Sequence, residues 1–338
     1  MTTNREAEQE DEPVLDPEIP IIDAHQHLFD RPALRYMLDD YLADANSGHN
    51  IVASVYVETQ AFARAGGPEL LRPIGEIEFA NGVAAMCESG TYGRRLVGAA
   101  IVGHADLRHG DAVAELLDRA QAVAPQRLRA IRQITIEHPS DAPFRYMTSR
   151  PPVGALHDPQ FLKGFGQLAR RGLAFDAAVF HHQLPDICSL ASKFPDTTIV
   201  LNHLGMPMQL DLDQAGRMRV FSEWRGSLFE LARRPNVVCK VGGLGMPYWD
   251  FGFDRRPEPV GYRELATAWR PYIEVGVEAF GADRCMMESN FPPDRRSCAF
   301  SSLWNAMKYV VKDCTQEEKS SLFHDTAARI YRMELLSG

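Results

Sequence analysis

The chain has 338 residues, 45% of them hydrophobic, so it can bury a sizeable core as two domains or as one large barrel. Its formal net charge of −9, without a basic cluster, argues against nucleic acid or an anionic membrane as partner and leaves a small soluble molecule. No apolar run approaches the roughly 20 residues that span a bilayer, and the N-terminus lacks the order of a signal peptide.

Residues 1–18 are acidic and hold almost nothing to bury, so they read as a mobile or loosely docked tail, with structure beginning near Ile19. From there, short runs rich in β-branched residues recur at 19–25, 51–58, 95–104, 127–135, 173–180, 197–204, 236–244 and 283–290. Helical periodicity separates many of them, at 110–123, 185–195, 220–235 and 262–281, and two more helices around 302–312 and 316–333 follow the last strand. The connections 28–50 and 59–94 are long enough to carry extra helices or a lid. This rhythm predicts an α/β fold: a (β/α)8 TIM barrel forming a single domain over 19–338. An open doubly wound sheet is the rival, disfavoured because no Gly-x-Gly-x-x-Gly turn follows an early strand. Six cysteines (Cys87, Cys188, Cys239, Cys285, Cys298 and Cys314) are scattered without a CxxC pair, several in strand-like runs, which points to reduced thiols and a cytoplasmic protein.

In a barrel of parallel strands, catalytic groups stand at the carboxyl ends of the strands. The first strand, "IIDAHQH" (21–27), ends in His25 and His27, which by period-two alternation share a face with Asp23 and Ile21. Two neutral imidazoles on one face are ready ligands for a divalent metal. The fourth strand holds Arg132 in an apolar run, and the fifth ends in His181 and His182. The sixth ends "LNHLG" with His203, on a face with Leu201 and Ile199; the seventh holds Lys240, and the eighth carries Glu288 and Asn290 on one face. Each alone has a structural explanation: Arg132 as an ion-pair partner, His203 as a donor to a carbonyl, Lys240 as the partner of Glu288. Together, so many ionisable groups at one rim are hard to explain by packing, since each buried charge must be compensated.

"DAHQH", a histidine before "QLP", "NHLG", "KVGGLGM" and "RCMMESNFPPDR", in that order, resemble the amidohydrolase superfamily, over about Ile19 to Leu336. The nearest branch is the amidohydrolase-related group that contains lactonases for fuconolactone, sulfomuconolactone and pyrone dicarboxylate. The resemblance implies a distorted (β/α)8 barrel in which His25, His27 and His181 (or His182) hold one divalent ion, Zn2+ by ligand type. His203 binds metal or polarises substrate. No lysine ends the fourth strand, so the carbamylated bridge of binuclear members is absent.

Most members end the eighth strand with an aspartate that takes a proton from the hydrolytic water. Asn290 stands at that position here, and an amide cannot act as a base near neutral pH. Glu288 then serves instead, or Asp294 folding back from the loop "FPPDR", or the site only binds a ligand. The same departure makes a metal-free site an alternative, as in the pyrone dicarboxylate lactonases. The expected activity is opening of a lactone or related ester of a small acidic substrate. Glu288 is the base, Arg132 grips a substrate carboxylate, and Lys240 or His203 stabilises the oxyanion. A metal-dependent non-oxidative decarboxylase and a non-catalytic binding protein are the rivals. The loop 246–257 is expected to place Tyr248, Trp249 and Phe251 against a flat ring and Arg255 and Arg256 against an anion, and its aromatics suggest a homodimer.

Overall fold

Val, Ile and Ala alternate along the predicted strands. In the computed structural model, which describes residues 12–32, 34–147 and 150–334, that alternation sorts them onto two faces of one parallel sheet. Its strands are β1 (Ile21–Gln26), β2 (Ile51–Val57), β3 (Leu96–His104), β4 (Leu128–Ile134), β5 (Ala174–Ala178), β6 (Ile199–Leu201), β7 (Val237–Val241) and β8 (Cys285–Met287), side by side in chain order. β1 and β8 meet at their carboxyl ends, where Asn290 N donates to His25 O at 2.8 Å and His27 N to Phe291 O at 2.9 Å. The result is the predicted (β/α)8 barrel.

Helices cover the outside. The long connection after β1 carries a short hairpin (Phe29–Arg31 with Leu34–Tyr36) and α1 (Leu38–Ala45), and the one after β2 carries α2 (Ile74–Glu88). Then follow α3 (Val113–Val123), α4 (Pro159–Ala169), α5 (Leu184–Lys193), α6 (Gln214–Ala232), α7 (Tyr262–Phe280) and α8 (Phe300–Val310). Local signals start several of them: the carboxylates of Asp158 and Asp213 accept backbone N–H groups at the heads of α4 and α6, and Pro159 opens α4. Outward residues such as Ile21, Tyr56, Ile101, Ile131 and Phe175 are buried against this layer.

Inside, Ile22, Ala53, Val102, Val200 and Met286 pack with Ala327 and Tyr331, which enter from the amino-terminal end of the barrel. The helix expected over 316–333 runs without interruption over 316–330, from α9 (Gln316–Ser320) through a widened π-type turn, Ser321–Asp325, into α10 (Thr326–Ile330). Across this widened turn Leu322 and Phe323 pack in the outer layer while Ala327 and Tyr331 pack inside the barrel.

Residues 1–11 of the expected tail lie outside the described residues. The rest of it is held firmly: Glu12 accepts from Tyr262 N and the Ser302 hydroxyl, and Lys308 Nζ donates to the carbonyls of Leu15 and Asp16, both at 2.9 Å. No helix among the described residues is long and apolar enough to cross a membrane.

Candidate active site

β1 does not keep its alternation to the end. Ile22 and Ala24 face inward, while the Asp23 carboxylate faces outward and accepts from Ser289 N (2.8 Å), Ser289 Oγ (2.6 Å) and Tyr41 Oη (3.1 Å). A register irregularity between Asp23 and Gln26 then turns His25 inward together with His27. The two imidazoles therefore do not share the face of Asp23 and Ile21, as strict alternation predicts.

His203 arrives by another distortion. β6 ends at Leu201, and His203 and Leu204 take left-handed backbone conformations, φ 52° and 56°. The ring turns into the barrel while Ile199 and Leu201, its expected face-mates, pack outside. Gly243 allows this: it has φ +64°, and a Cβ there would collide with the His203 ring. Gly242 is pressed against Glu288 in the same way.

The side chains converge around His25. Its Nε2 lies 3.1 Å from His27 Nε2 and 3.3 Å from Arg132 Nη1; its Nδ1 lies 3.3 Å from Lys240 Nζ and 3.1 Å from Glu288 Oε2. Glu288 Oε1 is 2.6 Å from His203 Nδ1, whereas Oε2 has no hydrogen-bonding partner. His27 Nδ1 stands 2.8 Å from the Val57 carbonyl, which can only accept, so the proton sits on Nδ1 and the Nε2 lone pair faces the site.

Burial governs the protonation states. It pushes Glu288 up to about 8, with Asp176 adding to the rise and Lys240 and Arg132 opposing it. His25, His27 and His203 are held well below the usual imidazole value, first by burial and then by the cations Lys240 and Arg132, so they are neutral.

Several expected roles meet different partners. Arg132 gives Nε to Glu58 Oε1 and Nη2 to Glu58 O, both at 2.7 Å, so its Nε–Nη2 edge grips Glu58 where a substrate carboxylate was expected. Lys240 pairs with Asp176 Oδ2 at 2.7 Å rather than with Glu288. Asp294 is committed to other partners, Oδ1 accepting from Asn290 Nδ2 and Oδ2 from Gly245 N, both at 2.7 Å, and no hydrogen bond joins it to a histidine among the described residues. Asn290 serves that anchor.

His181 Nδ1 accepts from Met208 N at 3.2 Å, and no hydrogen bond or ring contact joins His181 to His25, His27 or His203 among the described residues. His182 lines a cavity of about 240 Å³ at the rim, with Glu137, His138, Phe144 and Arg150. In the loop after β7, Trp249 is buried and donates to Gly243 O at 2.8 Å, Phe251 packs on Tyr272, and Tyr248 packs on Phe180. Arg255 is paired with Asp250 and Arg256 with Glu264, so neither forms the expected anion site.

Glu58, Asp176 and Tyr331 were missed. The signal for the first two was present in "IVASVYVE" and "LAFDAAVF", where a lone carboxylate interrupts or ends an apolar strand just as Arg132 does.

The donor chemistry fits a divalent ion. His25, His203 and Glu288 offer atoms within 4.8 Å of one another. Neutral imidazoles beside a carboxylate with one unpaired oxygen suit a zinc-type cation, and His27 Nε2 is a further donor. This set differs from the expected one, with His203 and Glu288 gathered where His181 was anticipated.

The family model described as amidohydrolase matches residues 22–333. The chain belongs to the amidohydrolase family. Protein y4mH of Sinorhizobium fredii is 34% identical over 338 residues, covering 94% of this chain and 99% of that one. L-fucono-1,5-lactonase of Burkholderia multivorans is 26% identical over 326 residues, 92% of this amidohydrolase and 96% of the lactonase. The crystal structure of an amidohydrolase from Burkholderia multivorans with bound zinc superposes with a TM-score of 0.69 at 25% identity, covering 93% and 99% of the two chains.

Proposed function

We propose that this amidohydrolase opens a lactone, a cyclic ester of a small sugar-derived acid, by attack of water. The observation that carries the reading is the state of Glu288: one oxygen is fixed by His203 at 2.6 Å and the other is unpaired beside His25. Once Glu288 is ionised, that oxygen is a buried acceptor without a hydrogen-bond donor, and water supplies one.

In this mechanism His203 orients the Glu288 carboxylate, whose Oε2 takes the proton of the attacking water and later returns it to the ring oxygen that leaves. Arg132 and Lys240, each 3.3 Å from a nitrogen of His25, place fixed positive charge where the carbonyl oxygen becomes an oxyanion. Both cations are already held by carboxylates, so neither needs to reorganise during the reaction. A divalent ion, Zn2+ by donor type, held by His25, His203 and Glu288 with His27 beside them, would add polarisation of the carbonyl and a more acidic water.

Arg132, Arg255 and Arg256 are all engaged by carboxylates. That favours a neutral polyhydroxy lactone over the acidic substrate expected from the sequence. The test is proton release, followed with a pH indicator, from L-fucono-1,5-lactone and related aldonolactones. Saturable release that Glu288→Gln abolishes is expected. Carbon dioxide evolved from aromatic acids would assign decarboxylation instead, and a panel untouched with and without added Zn2+ would reject the enzyme reading.

A further inference from the structure

Tyr331 follows α10 and enters the barrel from the end opposite the histidines. Its hydroxyl reaches both oxygens of Asp176, at 3.0 and 3.1 Å, and Lys240 Nζ lies 5.3 Å from the centre of its ring. Asp176 Oδ2 also accepts from Asn202 Nδ2 at 3.0 Å and from Lys240 Nζ at 2.7 Å, whereas among the described residues Oδ1 has Tyr331 as its sole partner. Lys240 in turn stands 3.3 Å from His25 Nδ1.

Tyr331, Asp176, Asn202, Lys240 and His25 are all 0% exposed, so no solvent competes and each bond constrains the next. Lys240 and Asn202 both bond Oδ2, so the bond at Oδ1 that restrains rotation of the carboxylate comes from the C-terminal segment. Phenylalanine would fill the same space, so packing alone gives no reason for the hydroxyl.

We infer that Tyr331 is a positioning residue of the active site, acting from the far end of the barrel through Asp176 to set where Lys240 stands against His25. Its kinetic consequence rests on the hydrolytic reading; its geometric consequence does not.

Tyr331→Phe in the full-length protein removes only the hydroxyl. In imidazole 15N spectra, with His25 assigned by loss of its signals in His25→Gln, the variant is expected to displace the His25 nitrogens and leave those of His138 and His324 in place. On a lactone that the wild type turns over, kcat falls about tenfold while KM stays within about twofold. Unmoved His25 resonances overturn the inference, as does a wild-type kcat on such a lactone. A variant that loses its fold marks the hydroxyl as structural and overturns it too. Displaced His25 resonances in a protein that hydrolyses no lactone uphold the inference and count against the hydrolase reading instead.

Discussion

The two halves of the barrel interior are built from the same strands and follow different rules. Towards the amino-terminal end, alternation holds, the inward side chains are Ala, Val, Ile and Met, and Ala327 and Tyr331 close the space. Towards the carboxyl end, Glu58, Arg132, Asp176, Lys240 and Glu288 are buried, and each is held by a particular partner. There the backbone also departs from the strand pattern, in the irregularity of β1 and the left-handed His203. The lower half needs only apolar groups of suitable volume, so its contacts are interchangeable in kind. The upper half needs particular atoms at particular distances, and it keeps a carboxyl group in an environment that disfavours its charge.

The largest break in this contrast is expected from Glu288→Gln. It keeps the shape and removes the base, so kcat should fall by about 10³-fold with circular dichroism unchanged. Gly243→Ala comes next. It drives a Cβ into the His203 ring at a φ of +64° that alanine resists, and the displaced base pair should lower kcat/KM by about 10²-fold.

The pH profile sharpens the comparison from the electrostatic side. Glu288 must be ionised to accept a proton, so kcat/KM should climb with pH and level off above about 8. For folding, the sign is opposite. Between the ordinary value of 4.5 and about 8 the native state keeps a proton that the unfolded chain releases, so the contribution of Glu288 to stability declines as pH rises through that window. Glu288→Gln should flatten that part of the stability profile, read by denaturant titration at several pH values.

In the apolar half, Val200→Ala should cost about 2 kcal/mol of stability in urea unfolding and leave kcat at the wild-type value, because the Val200 side chain packs in the lower apolar cluster and the substitution leaves its backbone in place. The smallest effect is expected outside the barrel. Glu12→Ala removes the acceptor for Tyr262 N and the Ser302 hydroxyl, and should cost about 1 kcal/mol with no change in activity.

The sequence by itself determined the strand and helix rhythm, the apolar faces, and the gathering of His25, His27, His203, Arg132, Lys240 and Glu288 at one end. These were legible because a strand's periodicity is local and because an ionisable residue in an apolar run has few reasons to be there. Tertiary structure alone decided the partners. Arg132 found Glu58 across 74 positions, Lys240 found Asp176 across 64, and Tyr331 reached Asp176 across 155. It also decided that His181 faces the Met208 backbone and that Asp294 anchors a loop. The physical reason is that pairing in a low-dielectric interior depends on distances of a few ångströms, set by the irregularity in β1, the turn at His203 and the widened turn in the last helix. None of these distortions leaves a periodic trace in the chain.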